Sequence, residues 1–547
     1  MASVPTPASI MSFVVPSEAQ TVLKSDVKSS SNPAARARSL PGTWLRLRIP
    51  AALLCAALAA CSTTAPVSTG PAAEIDRIGL FPMAAYDQDV DHWINPAGPD
   101  YDKPFLSASE QQAHFAALFA REFGGDTDSP SPWNPAFVTG RVYKNQGSGI
   151  ANLQRSRIAR YDNTGKADRE IGYGQNFRPY TKAWIDDIAR NMDVGQFEHD
   201  TAYTPAHRAI ATGNLLVREL PTMDPFFYSR RFAGEGYPFD NLQISAIRPG
   251  TPLYVLGRSV DGGWDYVQTP EVQGWVRSDN VSLADNVFIA AWRSNAQRGG
   301  LGAVVAASAS VVDGGGTFRF DAPAGTLLPI ASLQLGARPG MRVVLVPARD
   351  LDGRAVIQTA QLSDAQIVPM PFAATPRHLA TLIKALIGRP YGWGNTGLYN
   401  DCSSELQSIF AAFGVWLPRH SSTQMSAGQM VDLSSSSTAA RLDYLVKNGK
   451  PMRTLIYIGG HVMLYLGNTT RGTQTVPVVY QDIWGMRPAD DSRRAVIGGS
   501  GTLPLLEQMP EDPALQSLAG TSIFQVSILG APQSGMPPEP DEDNPAS

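Results

Sequence analysis

Asn400-Asp401-Cys402-Ser403-Ser404-Glu405-Leu406-Gln407-Ser408-Ile409-Phe410-Ala411-Ala412-Phe413-Gly414 decides how the C-terminal part of this chain is read. Leu406, Ile409, Phe410 and Phe413 follow Cys402 at i+4, i+7, i+8 and i+11, which is one face of a helix. Gly414 is placed to end that helix. Cys402 therefore falls in the first turn, where the helix dipole and unpaired N–H groups favour a thiolate. The thiolate is the nucleophilic form, so this position is expected to be activating.

The chain has two other cysteines, Cys55 and Cys61. Cys61 ends Leu58-Ala59-Ala60-Cys61, which reads as a lipoprotein cleavage box. Arg46 and Arg48 form a basic region ahead of it, and Ile49 to Ala57 an apolar one, so residues 1–60 are expected to be a leader with an export signal. Cleavage at Cys61 and its lipidation leave Cys402 as the lone thiol of an exported protein. A lone thiol cannot form an internal disulfide, and a catalytic nucleophile explains its presence. Residues 61–73, rich in Ser, Thr, Pro, Ala and Gly, read as a flexible tether.

At 547 residues, with 43% hydrophobic and 17% charged side chains, the chain should hold several globular domains. No apolar run reaches the roughly 18–20 residues of a membrane-spanning helix. The net charge of −4 falls to about −8 without the leader. No basic patch stands out, so nucleic acid is not an expected partner. No His/Cys/Asp cluster has ligand spacing, so neither metal nor other cofactor is expected.

The expected fold class is multidomain α+β. Residues 74–209 read as a mixed N-terminal domain, with helices at Ser109–Phe123 and Tyr180–Met192. Residues 210–285 carry short β-type runs, Leu215–Arg218, Leu253–Leu256, Trp264–Val267 and Gly274–Val276, split by Pro249-Gly250 and Asp261-Gly262-Gly263. They read as a small barrel. Residues 286–370 are expected to form a second one, and 371–530 an α/β unit. Residues 531–547, rich in Pro and acidic side chains, are expected to be disordered.

A thiol enzyme needs a base. Among seven histidines, His461 follows Gly459-Gly460 and precedes the strand Val462–Leu466, which can carry its ring over the helix start. Gln481 lies beyond the next strand and can accept the imidazole N–H.

Taken together, Tyr391-Gly392-Trp393-Gly394, Asp401-Cys402-Ser403, Leu417-Pro418-Arg419 and Gly460-His461-Val462-Met463-Leu464-Tyr465-Leu466-Gly467 resemble the NlpC-type papain-like peptidoglycan endopeptidases. Asp-Gly-Gly-Trp-x-x-Val followed by Gly-Trp-Val resembles bacterial SH3-like domains. Asn214 to Thr222 and Gly234 to Asp240 are similar to the first SH3-like domain of the Gram-negative members, and residues 74–205 to their N-terminal stabilising domain. The resemblance implies two SH3-like barrels, a papain-like catalytic domain and a monomer. It also implies an outer-membrane lipoprotein facing the periplasm, because no acidic residue follows Cys61. Two acyl chains supply stable membrane anchoring.

By this resemblance the substrate is the peptidoglycan stem peptide, cut between γ-D-glutamate and meso-diaminopimelate. Cys402 attacks the γ-carbonyl, His461 returns the proton to the leaving amine, and Gln481 orients His461. The Cys402 N–H and the Tyr391 hydroxyl are candidate oxyanion donors. Ser403, His420 and Ser421 are candidate substrate contacts, with Glu235, Tyr237 and Asp240 reaching in from the first barrel. Relatives that require a free amino-terminal L-alanine often carry an acid where this chain has His420, which leaves the amine anchor open, with Glu235 and Asp240 the first candidates. Two other readings stand beside this one: an amidase cutting muramoyl to L-alanine with the same dyad, and an inert wall-binding lipoprotein.

Overall fold

Helix and strand signals in the sequence are realised through long-range packing. The computed structural model describes residues 78–125, 129–143, 148–199, 202–230 and 236–530. These residues belong to the unit Ile75–Ser547. The expected leader, tether, Cys61 anchor and acidic tail lie outside the described residues, as does Glu235.

The chain opens with strand β1 (Ile78–Leu80), a one-turn helix α1 (Val90–Trp93) and helix α2 (Ala108–Phe123). Ser107 and Glu110 close a capping box that starts α2 one residue before the sequence-based limit. Helices α3 (Pro135–Arg141), α4 (Ser148–Tyr161), α5 (Lys182–Met192) and α6 (Gln196–His199) follow.

Seven strands come next: β2 (Arg208–Ala211), β3 (Leu215–Arg218), β4 (Gln243–Ile247), β5 (Pro252–Arg258), β6 (Trp264–Gln268), β7 (Gln273–Arg277) and β8 (Val281–Leu283). They form one antiparallel sheet in the order β4-β3-β7-β6-β5-β2-β8. Both faces are buried. Val217, Val267, Val276 and Val281 pack on one side. Tyr254, Trp264, Tyr266 and Trp275 pack on the other, against Phe137, Ile185 and Phe197 of α3, α5 and α6. The Trp275 indole N–H finds its partner in Gln154 of α4, at 2.9 Å.

Residues 286–370 differ from the expected second barrel. They open with helix α7 (Asn286–Arg298). Strands β9 (Leu301–Val304), β10 (Ser308–Val312), β11 (Phe318–Pro323), β12 (Leu327–Pro329), β13 (Met341–Arg349), β14 (Ala355–Ser363) and β15 (Ile367–Pro369) follow. They pair as three small sheets, β12-β9-β15, β10-β11 and β13-β14. Isolated bridges at Asp313–Ala360 and Ile330–Val344 stitch these sheets together. Among the described residues no pairing closes either β-rich segment into a barrel.

The C-terminal unit holds helices α8 (Pro376–Leu386), α9 (Cys402–Ala412) and α10 (Thr438–Asn448). Its strands are β16 (Gln429–Asp432), β17 (Thr454–Tyr457), β18 (Val462–Arg471), β19 (Gln474–Met486), β20 (Arg494–Pro504) and β21 (Gln525–Ile528). The sheet order is β1-β20-β19-β18-β17-β21-β16. All pairs are antiparallel except β1 with β20. The first strand of the N-terminal segment is thus an edge of the C-terminal sheet, and a β-ladder crosses the boundary expected at residue 209.

One sheet face packs Val462, Leu464 and Tyr480 against Leu406, Ile409 and Phe410 of α9 and Phe413 at its C-cap. The opposite face packs Met463, Tyr465 and Val479 against Leu445 of α10. Helix α9 is therefore clamped on the sheet with Cys402 at its free N-terminal end. Two close backbone approaches press other segments onto this unit. Gly394 adopts φ +55°, and a Cβ there would lie 2.6 Å from the Gln243 carbonyl. Gly325, at φ +79°, would place a Cβ 2.8 Å from Cα of Ser408. Only glycine accepts both that backbone region and that proximity.

Candidate active site

Asp401 caps α9. Its carboxylate accepts from the Ser404 N–H at 3.0 Å, and the Ser404 hydroxyl accepts from the Asp401 N–H at 2.8 Å. Cys402 is the first helical residue and is 6% exposed. The sulfur lies 4.0 Å from the Gly460 carbonyl. Burial pushes the thiol pKa up to about 12, the Asp401 charge adds to this, and the Val462 N–H and Arg419 pull it back. A rise of that size costs the thiolate about 4 kcal/mol. A helix N-terminus typically returns only about 0.3–1 kcal/mol. The activation expected from the helix end is thus outweighed by desolvation.

His461 stands at the entrance to β18. Its Nε2 is 2.7 Å from Gln481 Oε1 on β19. With Nε2–H donating there, the lone pair of the ring sits on Nδ1, the form a base requires. Burial holds the imidazole pKa down to about 4, with the Gln481 bond opposing. The resting pair is therefore an uncharged thiol and an uncharged imidazole. Gln481 is fully buried, and its Nε2 makes no hydrogen bond.

A second polar layer lies beneath the first turn. Burial alone would raise the Asp401 pKa, but the Arg419 charge and hydrogen bonds from Arg419 and Ser404 hold it below the usual range. Glu405, one turn on, accepts from Asn400 at 2.6 Å and from the Tyr480 hydroxyl, and burial raises its pKa. Asp482 is 1% exposed and its Oδ1 has no partner. Burial, then Glu405 and Asp401, push its pKa up to about 10, so it is protonated at neutral pH.

The other residues singled out from sequence fall into distinct surroundings. Tyr391 is tied through its N–H to Gly498. Burial and then the nearby Cys402 and Asp401 hold its phenol well above the usual range, so it remains an O–H donor. Ser403 is buried, and its hydroxyl donates to Asp401 while accepting from Arg419. The His420 carbonyl accepts from the Gln424 N–H and the Thr423 hydroxyl, and Ser421 beside it is buried.

The Tyr237 ring packs on Phe177 and Phe227, and its carbonyl accepts from Arg494 of β20 at 2.7 Å. Asp240 is already engaged: its carboxylate takes Arg218 at 2.7 Å and the N–H groups of Phe226 and Leu242 at 2.9 and 3.0 Å. That carboxylate organises its own loop, whose Asp240 carbonyl receives the Trp393 indole at 3.1 Å.

Sequence reasoning missed Asp482 and the role of Arg419. The Pro418-Arg419 pair was in view, but nothing local shows which carboxylate the guanidinium meets. Among the described residues no group of His, Cys, Asp and Glu is arranged to hold a metal. None of their helices is long and apolar enough to cross a membrane.

Comparison with known proteins fits this geometry. Residues 225–277 match the SH3 domain (SH3b1 type) family and residues 388–487 the NlpC/P60 family. A gamma-D-glutamyl-L-lysine dipeptidyl-peptidase of Bacillus subtilis (strain 168) is 33% identical over 91 residues, which is 16% of this chain and 31% of that protein. The match thus spans under a third of that relative. Among solved structures, an NlpC/P60 endopeptidase from Photobacterium damselae subsp. piscicida aligns over 84% of this chain and all of its own, with 26% identity and a TM-score of 0.69. An NlpC/P60 family protein from Bacillus cereus ATCC 10987 aligns over 57% of this chain and 98% of its own, at 14% identity and a TM-score of 0.37.

Proposed function

We propose that this chain, with its NlpC/P60 domain and SH3 domain, is a cell-wall cysteine endopeptidase that hydrolyses the γ-D-glutamyl–meso-diaminopimelate bond of peptidoglycan stem peptides. The observation that carries the reading is the His461 ring held at 2.7 Å by Gln481, on strands that pack directly against the Cys402 helix. NlpC/P60 family members are cysteine peptidases, and the name of the Bacillus relative, a gamma-D-glutamyl-L-lysine dipeptidyl-peptidase, supports cleavage at a γ-D-glutamyl carbonyl.

Cys402 attacks the γ-carbonyl as its proton passes to His461 Nδ1. The Cys402 N–H, one of the donors a helix start leaves without an intrahelical partner, and the Tyr391 hydroxyl face the developing oxyanion. Collapse breaks the amide bond, and the imidazolium gives its proton to the leaving amine. Water then hydrolyses the thioester with His461 as base, releasing the free γ-carboxylate and restoring the thiol. The protein acts from the envelope, anchored through acylated Cys61, with the SH3 domain packed against the start of the Cys402 helix.

Mass spectrometry of defined muropeptides and free stem peptides after incubation tests the bond. Release of diaminopimelate-containing fragments with a new γ-D-glutamyl carboxylate is expected. Release of intact stems from muramic acid would make the chain an amidase, and no product at all would make it a binding protein.

A further inference from the structure

The Arg419 guanidinium is buried at 5% exposure, and its hydrogen bonds come from two domains. From the NlpC/P60 domain, Asp401 accepts at 2.6 and 3.2 Å, Ser403 at 2.7 Å and Asn395 at 3.1 Å. Its Nε donates elsewhere, to the Ser245 hydroxyl on β4 at 2.7 Å, across 174 residues of sequence. Ser245 is 2% exposed and lies inside the matched SH3 segment. The seam around it is tight. Gln243 of the same strand donates to the Gly394 carbonyl at 2.9 Å, and Gly394 sits against the Gln243 backbone.

We propose that Ser245 of the SH3 domain is a positioning residue for the catalytic thiol: its hydroxyl holds the Arg419 guanidinium over Asp401 and Ser403 at the first turn of the Cys402 helix. The proposal rests on the reading of Cys402 as nucleophile. Asp401 and Arg419 act on the thiol with opposite sign, the carboxylate disfavouring the thiolate and the guanidinium favouring it. Arg419 is permanently charged and cannot relieve a lost acceptor by releasing a proton. Without Ser245, its Nε is left buried and unsatisfied, and the cation has a competing attractor in Glu271, whose charge it also feels. Movement toward Glu271 leaves Asp401 less compensated beside the sulfur.

The charged and titratable groups around this centre are Asp401 and Glu405 on or at the start of α9, Tyr391 before it, His461 at the entrance to β18, Asp482 on β19, and Glu271 and Arg248 from the SH3 side. Among the charged groups only Arg419 is bonded by the Ser245 hydroxyl, whose other partners are the Asn395 amide oxygen and the Ala246 carbonyl, each at 3.5 Å.

The test follows carboxamidomethylation of Cys402 by iodoacetamide against pH in the full chain, with the Cys402 peptide quantified by mass spectrometry so that Cys55 and Cys61 do not contribute. Two pairs isolate the hydroxyl: wild type against Ser245→Ala, and Ser245→Thr against Ser245→Val, which have nearly equal volume. Thermal melts confirm that each protein is folded at the assay temperature, and either pair decides alone if the other does not fold. The variants lacking the hydroxyl are expected to show the rising limb at higher pH, with labelling near pH 7.5 about tenfold slower for each pH unit of displacement. Ser245→Thr is expected to follow wild type.

Superimposed profiles, or a uniform slowing with no displacement along the pH axis, would overturn the proposal and leave Ser245 as a domain staple only. Because the readout is alkylation, the outcome stands even if no stem peptide is cleaved, which would instead sink the proposed activity.

Discussion

In the proposed mechanism, the burial of both the Cys402 thiol and the His461 imidazole sets the order of events. With the thiol pushed up to about 12 and the imidazole down to about 4, the proton crosses only as sulfur attacks. His461 must be unprotonated to receive it, so activity is lost as pH falls through its pKa. The acid limb of kcat/KM on a stem peptide is expected well below the ordinary value of about 6.5, toward about 4. A limb at 6 to 7 would mean that the ring is solvated in the working enzyme. Gln481→Ala removes the acceptor that fixes the tautomer and should cost about 1–3 kcal/mol, or roughly 5- to 150-fold in kcat. Gln481→His keeps an acceptor and should recover much of that loss. If Gln481→Ala keeps full kcat, the amide is a packing residue. Cys402, His461 and Gln481 were singled out from local patterns: a helix start, a Gly-Gly strand entrance and a position read as lying beyond the next strand, which in the structure runs on through Gln481 to Met486. Arg419 was not, because its decisive partner Ser245 is remote in sequence and no pattern of residue types marks the pair. Asp240 was misleading for a related reason. An acid in a loop looks available until its three partners are seen.

At the scale of the element, α9 was predicted as a helix with one apolar face, yet it is buried nearly all round, from Cys402 to Phe410 without a break. Its second face is polar and small: Ser404, Gln407 and Ser408. That face is an interface rather than a solvated surface. Gln407 donates to Glu271 at 2.9 Å, and Arg248 donates to Ser408 at 2.6 Å. Periodicity reads a helix from its apolar residues and assigns the remainder to water; it has no term for a polar face covered by another domain. Strand β20 went unread for the opposite reason. Gly498, Gly499, Ser500 and Gly501 look like loop punctuation, yet Gly499, Ser500 and Gly501 pair with Ile483, Asp482 and Gln481 of β19. The start of α9 also concentrates risk. Asp401→Ala removes the cap and strands a buried guanidinium, and should cost about 3–5 kcal/mol in denaturant unfolding. Arg419→Met in the same background removes the orphaned charge, so the double variant should be more stable than the sum of the two single losses. Simple additivity would mean that the ion pair is not coupled in the folded state.

At the scale of the molecule, composition located the segments but not how they are sewn together. Sequence offers no sign that Ile78–Leu80 will lie parallel to Arg494–Val496 at the edge of the C-terminal sheet. The segment that follows is bound there as well. Phe81 and Tyr86 pack with Met486, Leu503 and Leu515, the Tyr86 hydroxyl donates to Glu511 at 2.6 Å, and Gln88 bonds both backbone groups of Thr502 at 2.9 Å. Apart from Met486 at the far end of β19, these contacts lie on β20 and beyond it, whereas Gln481 lies in the middle of β19, one strand further in. The strap should therefore support the sheet without entering the chemistry. Two truncations separate the roles: one lacking residues 1–77, and one lacking residues 1–88. Loss of the additional residues removes two buried aromatic side chains and an edge strand. The longer deletion should lower unfolding free energy by at least about 3 kcal/mol relative to the shorter, with a correspondingly lower melting temperature. At a temperature where both are folded, kcat on a stem peptide should agree within about twofold, since an interaction made equally in ground and transition state changes stability and not rate. Equal melting temperatures would mean that the strand pairing contributes nothing to the sheet. A large fall in kcat with both proteins folded would mean that the strap reaches the His461–Gln481 pair through β20.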